Sequence, residues 1–205
     1  GATNGSLSTT QTTATYYRCE VICSAGTPAY STEVFVDMNS FMNCYCTSVA
    51  TSAIYDEEIY NVTVNGGSTD PLYANANGCA TPAPGPGSVL GGYSSFTTLA
   101  PITTVTTGQT VAFSINQDEC DGPTYYANGI GVWIDFDHNG SFSDPGEMVY
   151  MDQTTVMGPR TVNGSITIPP TATTGNTVMR IICAEGYSAT SWTPLVPCLA
   201  YGYGE

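Results

Sequence analysis

Short runs of alternating apolar and polar residues, each ended by a turn signal, recur along most of this chain. Val, Ile, Thr, Tyr and Phe dominate these runs, and Gly, Pro or Asn separates one run from the next. No stretch of helix-forming residues carries a sustained period of 3.6. The runs that predict strands cover residues 57–64, 88–99, 109–116, 129–137, 147–151, 161–168 and 176–185. Their spacing predicts an all-β protein, an antiparallel β-sandwich of jelly-roll or immunoglobulin-like type.

The first part of the chain has a different composition. Residues 1–15 are polar and Thr-rich, which is typical of an extended arm. Residues 15–26 and 31–39 each predict a strand, and together they predict a short β-hairpin. We therefore divide the chain into an N-terminal arm with a hairpin, 1–42, and a second domain, 43–205, with the hairpin able to exchange strands with a neighbour.

The charge of the chain is strongly negative. Seventeen acidic residues face three basic ones, Arg18, Arg160 and Arg180, and lysine is absent, so the net charge is −14. Such a surface repels phosphate backbones and anionic lipid headgroups. We expect neither nucleic-acid binding nor membrane insertion, and we expect cations to be the favoured small partners.

Eight cysteines, none in a zinc-binding pair, indicate disulfides and an oxidising, extracellular compartment. Eight thiols allow about 105 pairings, so their spacing leaves the connectivity open. The cysteines predicted to form bridges are Cys19, Cys23, Cys44, Cys46, Cys79, Cys120, Cys183 and Cys198.

An acidic loop follows the predicted strand at 129–137. Its oxygen-bearing side chains are two residues apart, and Gly140 permits the backbone to curl so that they converge. Such an all-oxygen set suits Ca²⁺, and the alternative is an Asx-rich turn whose side chains bond their own backbone. The predicted ligands are Asp135, Asp137, Asn139, the carbonyl of Ser141, Asp144 and Glu147. His138 lies between ligand positions, and we expect it to point to solvent.

Catalytic machinery is difficult to assemble from this composition. The chain has one histidine and no lysine, and its cysteines are expected in bridges. Carboxylate pairs such as Asp56 with Glu57 or Asp118 with Asp121 could serve a glycosidase, but clustered acids are more often solvated or metal-bound. We therefore expect no enzymatic activity.

Carbohydrate binding is a competing expectation. Trp192 lies in a Pro-flanked loop, where an exposed ring could stack on a sugar, whereas Trp133 lies in a strand pattern that favours packing. Glycosylation sequons occur at Asn4, Asn61 and Asn163, and a fourth, at Asn139, coincides with a predicted ligand.

Two segments resemble known families. Tyr17 precedes Cys19 by two residues, as in the tyrosine corner of immunoglobulin-like domains, so residues 1–39 resemble the last strands of such a domain. Residues 43–205 resemble the GEVED domain, a β-sandwich module of secreted bacterial proteins, in the order and spacing of a series of motifs. These motifs are Tyr45-Cys46, Glu58 to Val62, Gly92 to Phe96, Val132 to Asp137, Asp144 to Glu147, Ile168-Pro169, Val178 to Arg180, and Cys198 with Tyr201 to Glu205.

The GEVED resemblance implies an accessory or structural module. Within it we predict a Cys46–Cys198 bridge, which would tie the beginning of the domain to its end. Members of this family continue beyond Gly-Glu into a further strand, whereas this sequence stops at Glu205, so we expect a sandwich that lacks its last strand. Such a sheet invites strand addition, so we expect a head-to-tail homo-oligomeric fibre, and a simple fragment is the alternative.

Overall fold

The computed structural model describes residues 6–24, 26–52, 56–68, 83–89, 91–119 and 124–205. A 3-10 turn at Phe41–Asn43 is followed by the strands of the second domain. No helix in the described part of the chain is long and apolar enough to span a membrane. The strands are β1 (Thr15–Tyr17), β2 (Glu20–Val21), β3 (Ala29–Tyr30), β4 (Val34–Val36), β5 (Val49–Ala50), β6 (Glu57–Val64), β7 (Gly67–Ser68), β8 (Thr110–Glu119), β9 (Ala127–Ile134), β10 (Met148–Met151), β11 (Val156–Met157), β12 (Arg160–Thr167), β13 (Met179–Glu185) and β14 (Ala200–Tyr201).

Two four-stranded antiparallel sheets form the body of the protein. The first has the order β12-β8-β6-β7, and in the second β9 pairs with β10 and β11 along one side and with β13 along the other. Inward-facing side chains from both sheets form one core that includes Phe113, Ile115, Ile130 and Val132. This arrangement confirms the predicted antiparallel β-sandwich, and β6 covers the predicted residues 57–64.

Strand β9 is buried on both faces because a second apolar cluster covers its outer side. Trp133, Phe142, Ile182, Leu195 and Tyr201 belong to this cluster. Gly131 makes room for the indole, since a Cβ at this position would lie 2.3 Å from a ring carbon of Trp133. Trp133 is therefore a packing residue, as its strand pattern predicted.

The N-terminal hairpin differs from its prediction. Residues 15–26 do not form one strand, because the chain breaks between β1 and β2, and each pairs in a separate two-stranded sheet, β1 with β4 and β2 with β3. The hydroxyl of Tyr17 donates to the side chain of Gln11, 3.0 Å away. Val34, Phe35 and Val36 of β4 are all exposed.

The predicted strand at 88–99 is wrong in the described residues. Turns occupy much of this segment, and the β-pairing seen among its described residues is an isolated antiparallel bridge between Val89 and Tyr93. Gly91 adopts a positive φ of 58°, which reverses the chain where the alternating pattern suggested an extended course.

The last residues of the sequence add to the edge of β13. Backbone hydrogen bonds join Cys183 and Glu205 in both directions, at 2.7 and 3.0 Å. Gly204 has a φ of +116°, and a Cβ there would lie 2.1 Å from the Cys183 carbonyl oxygen. The Glu205 carboxylate accepts from the backbone N–H of Ile59 at 2.9 Å, so this closing motif links the two sheets.

Candidate metal centre

The acidic loop connects β9 to β10. Its ends are tied together because the Ile134 N–H donates to the Glu147 carbonyl at 2.9 Å. Gly140 and Gly146 have φ values of 81° and 93°, which let the chain turn twice within the loop. The loop is therefore a closed unit set by the strand pair on which it stands.

Asp135 is the buried centre of this loop. Its carboxylate accepts from the backbone N–H groups of His138 at 2.6 Å and Gly140 at 3.0 Å, and a longer bond comes from Asn139. The hydroxyl of Tyr45 donates to the same carboxylate at 2.8 Å. Burial alone would raise the pKa of Asp135, but these four bonds outweigh it and hold the pKa below its usual range. Asp135 is thus a fixed, ionised carboxylate.

The outer rim of the loop joins Asp137, Asn139 and Asp144. The Asn139 side-chain amide donates to Asp137 at 3.1 Å and to Asp144 at 2.9 Å. The Asn139 side-chain oxygen accepts from the N–H of Ser141 at 2.8 Å, and the Ser141 hydroxyl accepts from the Ser143 N–H. The bonds from the Ser141 and Ser143 N–H groups are Asx and Ser turns, the alternative to a metal site considered above.

Glu147 lies opposite Asp135 and is also buried. Its carboxylate accepts from the N–H of Phe136 at 3.0 Å and, more weakly, from that of Asp144 at 3.3 Å. Burial raises the pKa of Glu147 above its usual range despite these bonds, and the charges of Asp135 and Asp137 add to the rise. A second charge of the same sign is therefore costly at this position unless something positive offsets it.

Three of the predicted ligands converge. Asp135, Asp137 and Glu147 each place a carboxylate oxygen within 4.8 Å of the other two. Two oxygens that bind one Ca²⁺ at about 2.3–2.6 Å lie no more than about 5 Å apart, so this spacing fits a shared ion. Asp144 and Asn139 stand beside this trio through the rim hydrogen bonds.

Three aromatic side chains, Phe41, Tyr45 and Phe142, form a wall that supports the loop. This aromatic wall was not predicted from the sequence. The ring of Tyr45 stacks on Phe142 at 4.3 Å, which holds its hydroxyl over Asp135. His138 does not point to solvent as predicted, because its ring stacks on Phe41 at 4.6 Å. In the sequence Tyr45 is 90 residues from Asp135, so no local pattern could have paired them.

The Cys46–Cys198 bridge is confirmed, with a Cα–Cα distance of 5.6 Å. Arg180 donates to the Pro197 carbonyl at 2.7 Å beside this bridge, and its guanidinium lies over the Phe142 ring. Because Tyr45 precedes Cys46, the bridge fixes the aromatic wall against the loop.

The other described cysteines differ from the prediction of eight bridged residues. Cys19, Cys23 and Cys44 are exposed free thiols, and Cys183 is a buried free thiol within the sandwich core. Close packing by apolar neighbours explains how Cys183 is accommodated unbridged, as a small apolar side chain. Cys79 and Cys120 lie outside the described residues.

The remaining predicted sites are dispersed. Trp192 is fully exposed, at 103 %. Asn163 is exposed on β12, Asn61 is half-buried on β6 and its amide donates to Ser68, and Asn4 lies outside the described residues. Trp192, Asn163 and Asn61 all lie outside the acidic loop.

Comparison with known protein families identifies the part of the chain that contains this loop. Residues 129–205 match the family model of the GEVED domain, whereas no curated protein and no solved structure matches the chain. The match begins in β9 and ends with the closing motif, so residues 43–128 and the immunoglobulin-like segment remain resemblances. The match and the bridge both indicate a module of a secreted or surface protein. The segment that matches the GEVED domain model, 129–205, carries all the predicted metal ligands.

Proposed function

We propose that this chain is a structural or adhesive module of an extracellular surface protein, and that calcium and disulfides stabilise its β-sandwich. The observation that carries the proposal is the convergence of Asp135, Asp137 and Glu147 on one point. The chain has few groups for nucleophilic or acid–base chemistry, and its one histidine is stacked on Phe41, so we propose a non-catalytic role.

The charge balance of the loop supports calcium. Asp135 and Glu147 are buried, and the structure places no arginine against either carboxylate in the described residues. A bound Ca²⁺ supplies positive charge in a site of this kind, and it prefers oxygen ligands. With its amide rotated by half a turn, Asn139 would direct its oxygen toward the carboxylates and join them as a ligand.

Thermal unfolding with and without calcium tests this site. At a calcium concentration of about 100 times the Kd, binding adds about 2.7 kcal/mol, which for a chain of this size raises the Tm by about 5–10 °C. Asp137→Asn should reduce this rise, because it removes an exposed ligand of the loop and leaves Asp135 and its hydrogen bonds in place. Asp37→Asn, the same change on the N-terminal segment, should keep the rise. Equal melting of the unchanged chain in Ca²⁺ and in EDTA would exclude the site.

Exposed apolar residues support fibre assembly by strand exchange. Phe35 is 48 % exposed and its ring packs at a tilt against that of Tyr16, which is itself 67 % exposed. Between the two sheets lies a cavity of about 1740 Å³, lined in part by Val62, Ile134 and Ile181. An apolar strand from a neighbouring copy would bury its side chains in such a cavity and complete a sheet through backbone hydrogen bonds.

Electron microscopy of native material tests assembly. We expect filaments from the unchanged chain and none from Phe35→Ser, because the substitution places a hydroxyl on β4, the strand that we propose is donated to a neighbouring copy. Leu7→Ser is the control, since Leu7 is 62 % exposed but lies outside the paired strands. Isolated particles from the unchanged chain would refute the fibre.

A second candidate function is carbohydrate binding, and the full exposure of Trp192 favours it. Solvent-exposed aromatic rings anchor ligands at many binding surfaces. A glycan array probed with the chain should show binding that Trp192→Ala removes and Tyr16→Ala retains. If no glycan is retained by the unchanged chain, the structural role stands alone.

A further inference from the structure

A second group of carboxylates lies at one end of the sandwich, away from the acidic loop. Along β8, alternate residues from Val111 to Glu119 are buried, so the inward row of this strand ends in Glu119. Glu119 is paired in register with Glu57 of β6. Inward-facing Cys183 of β13 is followed two residues later by Glu185, on the same face of that strand. Acidic side chains from both sheets therefore meet where the apolar core ends.

Two of these carboxylates, together with Asp56 next to Glu57 in the sequence, lie close enough to share one ion. Asp56, Glu57 and Glu185 each place an oxygen within 4.8 Å of the other two. Asp56 is 8 % exposed and Glu57 only 1 %. Neither carboxylate oxygen of Glu57 accepts a hydrogen bond from another described residue, although both are buried. A buried, unpartnered carboxylate in such a cluster is unstable unless a positive species joins it.

The side chains of this protein do not supply that positive species. The whole sequence contains three basic residues and no lysine. Arg160 is bonded to Asp152 and Asn128, Arg180 to the Pro197 carbonyl, and Arg18 lies 3.9 Å from Glu33 in the N-terminal hairpin. The charge of the cluster must therefore be offset from solution.

We propose that Asp56, Glu57 and Glu185 bind a divalent cation of the calcium class, which joins the two sheets at this end of the sandwich. The donor set consists of carboxylate oxygens, which hard cations prefer. Asp56 and Glu57 stand at the start of β6 in one sheet, and Glu185 ends β13 in the other. A bound ion thus acts as a clamp between the sheets, independent of the loop between β9 and β10.

Protonation is the competing way to neutralise the cluster. Burial raises the pKa of Glu57 to about 8, and the neighbouring Asp56 and Glu119 contribute to the rise. A proton shared between Asp56 and Glu57 would remove the repulsion without a metal. The two cases differ in the number of calcium ions that the chain binds.

Isothermal titration of the full metal-free chain with CaCl₂ counts these ions. We expect two equivalents for the unchanged chain and one for Glu57→Gln, which keeps the side-chain shape and removes the charge. Glu33→Gln is the matched control, because Glu33 is exposed, and it should retain two. Far-UV circular dichroism checks that each variant is folded.

The Asp137→Asn variant tests the second site without disturbing its residues. One remaining equivalent in this variant supports the clamp, and no remaining equivalent overturns it. Retention of wild-type stoichiometry by folded Glu57→Gln also overturns it, and a stoichiometry of one ion in both proteins favours the shared proton. If the unchanged chain and Asp137→Asn each bind one ion and Glu57→Gln binds none, the clamp stands while the proposed loop site fails.

Discussion

Single residues determine how the closing motif joins the sandwich. Gly204 lies against the backbone of β13 with a positive φ, and no side chain fits between its Cα and the Cys183 carbonyl. Glu205, the next residue, reaches across to the Ile59 N–H. The final Gly-Glu pair therefore has a structural explanation. Gly204 permits the close backbone contact with β13, and Glu205 makes a hydrogen bond between the two sheets.

Gly204→Ala should lower the free energy of unfolding by about 2–4 kcal/mol, because it combines backbone strain with a steric clash. Gly66→Ala separates the two effects, since Gly66 also has a positive φ, of +81°, but nothing lies within 4 Å of its added Cβ. This control should lose only about 1–2 kcal/mol. Urea denaturation measures both values, and equal losses would contradict the proposed close contact.

At the scale of elements, the acidic loop depends on a segment distant in sequence. The segment around Tyr45 supplies a hydroxyl to Asp135 and a ring to Phe142, and the Cys46–Cys198 bridge holds it in place. The bridge closes a loop of 152 residues, long enough to restrict the unfolded chain strongly. The bridge and the aromatic contacts therefore support the loop in addition to its own hydrogen bonds.

Replacing both bridge cysteines, Cys46→Ser with Cys198→Ser, should lower the free energy of unfolding by about 5 kcal/mol on the chain-entropy estimate. Calcium affinity should also fall, because Tyr45 loses its anchor beside Asp135. Cys44→Ser provides the control, since Cys44 is an exposed free thiol two residues away. If Cys44→Ser destabilised the chain as much as the double variant, the assigned pairing would be wrong.

At the scale of the whole molecule, the sequence predicted those features that local pattern controls. Alternation located β6 and the sandwich class, and the spacing of Asp135, Asp137 and Asn139 located the acidic loop. The segment at 88–99 was mispredicted because Gly91 turns the chain, which an alternating pattern does not reveal. Contacts between distant segments, such as Tyr45 with Asp135, depend on sheet order and could not be read from spacing.

The second carboxylate cluster illustrates the same limit. Asp56 and Glu57 were visible in the sequence as an acidic pair, but Glu185 joins them only because β13 lies opposite β6 in the sandwich. The net charge is −14 with three arginines, and within the described residues carboxylates cluster at two places whose oxygens suit a hard cation. Its stability is therefore expected to depend on the cation content of its surroundings.

A crystal structure of the chain grown in calcium tests the central claim most directly. We predict an ion in the loop between β9 and β10, with oxygens of Asp135, Asp137 and Glu147 at about 2.3–2.6 Å and an anomalous signal that identifies Ca²⁺. Loop carboxylates that bond only to backbone N–H groups and water at saturating calcium would contradict the account.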